Sequence, residues 1–300
     1  MDILITGSSG FLGQYIKTLH QKRGDNLFTI GRSQENDAII DLTMSEVDLK
    51  GKNFNLVIHA CGKAHVVPKT ENEKSEFYSI NVIGTLNLLK SLEGNSKLPK
   101  YFIFISTIAV YGLVAGKQID ENFQLNAKDP YGHSKILAER IICEWCNKNN
   151  VILTILRLPL VIGINPTGNL KKMIDGIKKG YYMNIDGGKA QKSMVLAEDV
   201  ANFMPVVMYL GGIYNLTDGQ HPNFFNLSKH IANNLGKKKI PNVSKYFAFV
   251  LSKFGDIIGA NFPINSDKFI KIISDLTFDD SKARSIGWKS TSVLKDFNVL

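Results

Sequence analysis

The chain is short of cysteine and lacks any long apolar run, and each shortage closes off a class of protein. Three cysteines in 300 residues, Cys61, Cys143 and Cys146, are too few for a disulfide framework and fit a reducing compartment. Cys143 and Cys146 have redox-motif spacing, but they fall inside a helical stretch and no second Cys or His pair stands near them. Helix packing is their expected role, and no metal site is expected. No apolar stretch approaches the roughly 20 residues that span a bilayer. The short first strand lacks the basic lead of a signal peptide, so a cytoplasmic location without a transmembrane segment is expected. Acidic residues are the minority charge, 27 against 36 Lys and Arg, for a formal net charge of +9. The lysines are scattered apart from Lys171-Lys172, Lys178-Lys179 and Lys237-Lys238-Lys239, which read as solvated surface. A charge of this size suits an anionic small substrate or a loose membrane-surface attraction as well as nucleic acid; of these, a nucleic-acid partner is not expected.

What is present is organised around the start. Ile3-Leu4-Ile5 forms an apolar run that stops at Thr6, and Gly7, Gly10 and Gly13 follow at a spacing of three before an amphipathic stretch from Phe11 to Arg23. The pattern is strand, glycine turn, helix. Gly7 permits a sharp turn, Gly10 a close approach of backbone to a pyrophosphate, and Gly13 tight packing of helix on strand. The free amides and partial positive charge of the helix N-terminus then hold the diphosphate.

Strand-like segments continue at Leu27–Ile30, Ala38–Ile40, Phe54–Ile58, Tyr101–Ile105 and Val151–Leu156, with helical patterns over Glu73–Leu92 and Tyr131–Asn147. This alternation predicts an α/β fold with a doubly wound parallel sheet covered on both faces, of Rossmann type. After Arg157 the rhythm changes at Pro159 and Pro166. Short strands are expected at Ser193–Leu196 and Ile213–Leu216, and the chain beyond Pro222 reads as mostly helical. Residues 1–163 are therefore expected to form the nucleotide-binding domain, with 190–217 returning to it, and 164–300 a smaller substrate lobe. Between Tyr246 and Ile258 apolar residues recur at helical spacing, which fits an amphipathic helix on a membrane or over a substrate cleft; a helix packed on its own domain is the favoured reading.

Several residues stand where chemistry is expected. At the end of the second strand, where a carboxylate would bind an adenosine ribose, the chain has Gly31 followed by Arg32. An Arg pairs with a 2′-phosphate that a carboxylate would repel, so NADP is favoured over NAD, with NAD possible. Asp41 is placed either to accept from the adenine amine or to cap a turn. His59-Ala60-Cys61-Gly62 closes the fourth strand with small residues suited to lie against a cofactor; His59 either faces that cofactor or is a hydrogen-bonded structural residue. Asn81, inside an apolar helix, needs a buried partner. Tyr131 and Lys135 are four apart on one helical face, and Ser106-Thr107 ends the fifth strand. An ammonium beside a phenol favours phenolate, which makes Tyr131 a workable proton acceptor, while Thr107 holds the same substrate oxygen.

Taken together, the glycine turn, Asn81-Val82-Ile83-Gly84-Thr85, Ser106 to Gly112, Tyr131 with Lys135, Arg157 to Gly163 and the ending Phe278 to Trp288 resemble the extended short-chain dehydrogenase/reductases of the NAD-dependent epimerase/dehydratase family. The resemblance covers nearly the whole chain. It implies a Rossmann domain, a small C-terminal substrate domain, a nucleotide-sugar substrate, a possible homodimer and a catalytic triad of Thr107, Tyr131 and Lys135. Cofactor contacts are then expected from Gly7, Ser9, Gly10, Phe11, Leu12, Gly13, Arg32, Asp41, Leu42, His59, Ala60, Cys61, Tyr131, Lys135 and Leu158. Substrate contacts are expected from Thr107, Asn169 and Lys192; the last stands in Gln191-Lys192-Ser193, where the family usually has an Arg-rich segment. The family's 4,6-dehydratases carry Asp-Glu directly after the catalytic Thr; this chain has Ile108-Ala109, so dehydration is not expected. The expected chemistry is hydride exchange at C4 of a UDP-N-acetylhexosamine or its 4-keto-6-deoxy form. Arg32 leans it towards a 4-keto reductase, with an NAD-dependent 4-epimerase as the alternative and a non-catalytic NADP sensor as a further one.

Overall fold

Short, wholly apolar strands cannot leave either face in water, and the chain resolves this by placing them in one parallel sheet between two helical layers. The computed structural model describes residues 1–64, 68–237, 239–259, 262 and 264–297; Lys238 of the triple-lysine run lies outside them. In chain order the first half runs β1 (Asp2–Thr6), α1 (Phe11–Lys22), β2 (Asn26–Gly31), β3 (Ala38–Ile39), β4 (Leu56–His59), α2 (Glu71–Tyr78), α3 (Gly84–Glu93), β5 (Tyr101–Thr107), β6 (Gly116–Ile119), α4 (Pro130–Lys148) and β7 (Ile152–Leu158). The second half runs β8 (Leu160–Ile162), α5 (Gly168–Lys179), β9 (Asn184–Ile185), β10 (Met194–Leu196), α6 (Ala197–Val207), β11 (Gly212–Asn215), α7 (Phe224–Asn234), β12 (Asn242–Val243), α8 (Lys245–Ile258), α9 (Ser266–Ile273) and β13 (Leu276–Phe278).

Seven strands form the main sheet in the order β3-β2-β1-β4-β5-β7-β11, with parallel neighbours throughout. The chain steps outward from β1 to β2 and β3, then returns to lay β4 on the other edge of β1. That reversal opens a crevice at the carboxyl ends of β1 and β4, where ligands bind in open α/β sheets. Alternate residues feed different cores. Ile3, Ile5, Leu56 and Ile58 pack with α1 and α6 on one face, while Leu4, Val57, Phe102 and Phe104 pack with α3 and α4 on the other. β11 at the sheet edge, and α6 against α1, come from the second half of the sequence. A third core gathers Ile162, Leu170, Met173, Leu227 and Ile231 from β8, α5 and α7 beside the sheet.

The expected helix over Glu73–Leu92 is interrupted. α2, capped at Thr70 by a bond from the Glu73 amide, passes through a wider π-helical turn at Ser79–Ile83 before α3 begins. The extra residue carries Asn81 inward, and its carbonyl accepts the Thr85 hydroxyl at 2.7 Å. Two further parallel pairs, β6 with β13 and β9 with β12, were not legible from the sequence, because two-to-four-residue strands carry no periodicity.

At the carboxyl ends of β5, β7 and β11 a charged pair is buried. Arg157 on β7 donates to both carboxylate oxygens of Glu139 on α4, at 3.2 and 2.8 Å. Glu139 also accepts the Ser106 hydroxyl, and Arg157 reaches the Tyr111 phenol at 3.1 Å, which in turn donates to Asn215 at 2.8 Å. Both members of the pair are below a twentieth exposed. Burying ions is costly, and it is tolerated here because nearly every lone pair and N–H is satisfied; removing one partner strands the other. Arg157→Leu is therefore expected to lower unfolding free energy by about 3–5 kcal/mol, measured by urea denaturation; a loss under about 1 kcal/mol would show that the pair contributes no more than a surface bridge.

Candidate active site

The glycine turn begins the site. Gly7 takes φ +74°, and a β-carbon there would lie 2.7 Å from the Cys61 amide nitrogen. A β-carbon on Gly13 would fall 1.9 Å from the Gly7 carbonyl oxygen. Both positions therefore require glycine, because the backbone of α1, the turn and the end of β4 touch one another. α1 starts from Gly10 with no side chain capping it and no acidic residue in its first turn. Its first amides are left for an anion in the crevice.

Two adjoining cavities occupy the carboxyl end of the sheet and share Gly7, Gly10, Ala60, Cys61, Gly62 and Lys63. The outer one, about 620 Å³, is lined by Ser9, Gly31, Arg32, Ser33, Asp41, Leu42 and Thr43 as well. The inner one, about 550 Å³, adds Phe11, Leu12, Gly13, Ser106, Thr107, Tyr131, Lys135 and Leu158. The expected residues from the turn after β1, α1, the loop after β4, β5, α4 and β7 thus border one continuous groove.

Tyr131 is brought to Thr107 by the start of α4. Asp129 caps that helix by accepting from the Gly132 amide, and Pro130 occupies the first turn, where its missing N–H costs nothing. Gly132 then packs so closely on the turn after β5 that a β-carbon would sit 2.7 Å from the Ala109 carbonyl oxygen and 2.5 Å from the Ala127 β-carbon. The Thr107 hydroxyl hydrogen-bonds to the Tyr131 phenol, and its oxygen also accepts from the Ala109 amide at 3.2 Å. Ser106 is not available to substrate, since its hydroxyl is committed to Glu139.

The electrostatics differ from the sequence expectation. Lys135 was expected to draw the phenol pKa down. Burial instead pushes the Tyr131 phenol up, the bond from Thr107 opposes this, and the Asp129 carboxylate adds to the rise. Lys135 is occupied elsewhere: its ammonium donates to the Ile105 carbonyl at 2.6 Å and lies 3.9 Å from the centre of the Phe104 ring. Burial brings its own pKa down to about 8, against which Glu139 acts to keep it charged.

His59 does not border the groove. Its ring is buried with both nitrogens engaged, Nδ1 with the Thr6 hydroxyl at 2.6 Å and Nε2 with the Thr85 hydroxyl at 2.9 Å. Burial drives its pKa down to about 3, so it braces β1, β4 and α3 as a neutral group. Asn169, in the first turn of α5, is exposed and borders neither cavity; Thr167, two residues earlier, lines the inner one. Lys192 also borders neither. Its ammonium donates to the Ser274 carbonyl at 2.8 Å, and burial lowers its pKa to about 8. Arg32 and Asp41 do face the outer cavity together, with guanidinium and carboxylate 3.8 Å apart. Beside them Asn36 fills the space that Gly31 leaves, bonded to the Ser8 hydroxyl at 2.8 Å and the Ser33 carbonyl at 2.9 Å.

Sequence reasoning missed Lys63 and Glu76, which pair across the groove wall, and the partner of Asn81. The Asn81 side chain accepts from the Lys63 amide at 2.8 Å and donates to the Lys63 carbonyl at 3.2 Å and to Ser134 at 2.9 Å, so it pins the loop after β4 to α4. A buried Asn flanked by apolar helix was the available signal.

The model of the NAD dependent epimerase/dehydratase family matches residues 3–217. The N-acetyl-alpha-D-glucosaminyl-diphospho-ditrans,octacis-undecaprenol 4-epimerase of Escherichia coli O157:H7 is 28% identical over 96% of this chain and 90% of its own length. The UDP-glucose 4-epimerase of Vibrio cholerae is 25% identical over 98% of this chain and 92% of its own. Among solved structures, the UDP-glucose 4-epimerase of Thermotoga maritima with UDP-glucose superposes with a TM-score of 0.78 over 98% of this chain and 96% of that one, at 22% identity. The match over most of the chain, on top of the glycine turn and the Thr107–Tyr131 pair, makes this protein a member of the NAD dependent epimerase/dehydratase family.

Proposed function

We propose that this protein is a nicotinamide-dependent 4-epimerase of a diphosphate-linked N-acetylhexosamine. The observation that carries the reading is the convergence of Thr107, Tyr131 and Lys135 on the cavity that continues from the uncapped N-terminus of α1. That groove fits a dinucleotide. Gly7, Gly10 and Gly13 leave a cradle that a β-carbon would fill, and the amides after Gly10 face it without an acidic neighbour. Arg32 and Asp41 would hold the adenosine end and Lys135 the nicotinamide ribose. The bound nicotinamide supplies the acceptance and return of hydride at C4. Tyr131 takes the proton from the C4 hydroxyl as that carbon becomes a carbonyl, and gives it back when the opposite face has been reduced. Thr107 bonds to the same oxygen and fixes it against the phenol. The Ile108-Ala109 step after Thr107 offers no second acid or base, so water loss from C5 and C6 is not supported. The two full-length relatives that are 4-epimerases support the epimerase reading over others.

A 4-keto reductase using NADPH is the second reading, and Arg32 favours it. The guanidinium is about three-quarters exposed at the rim of the outer cavity, and no carboxylate follows β2 directly. Dissociation constants separate the two. A reductase requires NADPH to bind more tightly than NADH, with Arg32→Ala weakening NADPH by about tenfold or more and leaving NADH unchanged. Equal affinity in the wild type removes this reading.

For the epimerase, interconversion of UDP-N-acetylglucosamine and UDP-N-acetylgalactosamine, followed by chromatography, is the direct assay. Tyr131→Phe is expected to lower turnover by about 10²–10⁴-fold with cofactor binding retained; a variant keeping more than a tenth of the activity refutes the assigned role. The phenol has a raised pKa, so its reactive phenolate is scarce at neutral pH and grows as pH rises. The oxidative half-reaction is accordingly expected to climb about tenfold per unit between pH 7 and 9. A plateau already reached below pH 7 would mean that the phenol is lowered, not raised.

A further inference from the structure

α8 buries the wrong residues for a helix that serves only its own domain. The residues it turns inward are small, Ala248, Ser252 and Gly255. Gly255 meets the chain so tightly that a β-carbon would fall 1.8 Å from the Ile264 carbonyl oxygen. The large residues point away: Tyr246 is 79% exposed and Ile257 84%, and Phe247, Phe249, Phe254 and Ile258 are each more than two-fifths exposed. At about 100° per residue the small set and the large set fall on opposite faces. The orientation is fixed by specific contacts. Asp256 accepts from the amide and hydroxyl of Ser266 at the start of α9, and the Phe249 ring meets Phe269 at 5.8 Å. Ile270 on α9 extends the apolar surface.

Two observations say what this surface fits. An outward stripe of aromatic and aliphatic side chains on a short helix that lies along the surface, rather than crossing anything, is the form of an interfacial helix; at 14 residues it is about 21 Å long. The charge around it is strongly of one sign: residues 237–271 carry seven lysines and two aspartates, a net +5 out of +9 for the chain. Exposed Lys245 and Lys253 stand on the helix itself, the latter donating to the Ser266 hydroxyl at 3.1 Å and lying 3.8 Å from the Asp256 carboxylate. A second protein chain needs no such bias, whereas an anionic bilayer attracts each lysine near its surface.

We propose that the outward face of α8 docks the protein on the surface of an anionic phospholipid bilayer, with the aromatic residues in the headgroup boundary and the lysines on lipid phosphates. This is independent of the reaction proposed above. The test is co-sedimentation of the full chain with vesicles of phosphatidylglycerol and phosphatidylcholine, compared with pure phosphatidylcholine. Binding to the mixed vesicles is expected to be at least about tenfold tighter, and to weaken about fivefold with each of Lys245→Gln and Lys253→Gln. The triple variant F247S/F254S/I257S is expected to lose at least about tenfold in vesicle binding while keeping the circular dichroism and melting temperature of the wild type, since those side chains make little of the fold. Absence of wild-type binding to the anionic vesicles, equal binding to phosphatidylcholine, or undiminished binding by the folded triple variant each overturns the proposal. So does a wild-type dimer in analytical ultracentrifugation that the triple variant converts to monomer, which assigns the face to a second copy.

Discussion

A helix can hand a phenol to the end of a strand only if the two backbones almost touch, and here that contact is Gly132 against the carbonyl of Ala109. Any side chain at position 132 would push α4 away from the turn that follows β5 and separate Tyr131 from Thr107. The contact is held from both ends. Asp129 and Pro130 fix where the helix starts, and about two and a half turns later Glu139 ties it to Ser106 and Arg157. The buried ion pair is therefore the far end of the clamp whose near end is the pair Thr107 and Tyr131. It places charge in the interior at a cost in desolvation, and in return sets the register of α4 on β5 and β7.

The same burial sets the chemistry. A phenol enclosed by protein resists ionisation, so Tyr131 is held protonated more firmly than a free tyrosine, and its hydrogen bond from Thr107 is the force that opposes this. Lys135, directed at the Ile105 carbonyl and the Phe104 ring, has its own pKa brought down to about 8 by burial. An anionic diphosphate at the N-terminus of α1 is compensated by that helix's own amides, so Lys135 does not have to serve it.

How much of this the sequence disclosed follows the range of the interactions. The glycine spacing, the Ser106-Thr107 strand end and the four-residue offset of Tyr131 and Lys135 are local, and backbone geometry translates them directly into position. The doubly wound sheet was legible for the same reason, from short apolar strands alternating with amphipathic helices. What was hidden depends on distant partners. His59 closes a strand as expected, but whether its ring meets the groove or the interior is decided by Thr6 and Thr85. Lys192 and Asn169 were placed by resemblance alone, and the Ser274 carbonyl and an exposed helix start take them elsewhere. The helical spacing between Tyr246 and Ile258 identified α8 correctly, but periodicity cannot say which face is covered.

The helix that carries that face is linked by a chain of contacts to the segment after Thr107. α8 packs on α9, which ends at Ser274, whose carbonyl holds the Lys192 ammonium; the Asp275 carboxylate then accepts from the Gln191 amide at 2.8 Å and pairs with Lys117 at 3.0 Å. The chain continues into β13, which pairs with β6, the strand that follows the turn after Thr107. α8 is thus joined to the strand that follows Thr107 through α9 and the pairing of β13 with β6. The wall opposite, made by α1 and the glycine turn, belongs to the main sheet and has no part in that route.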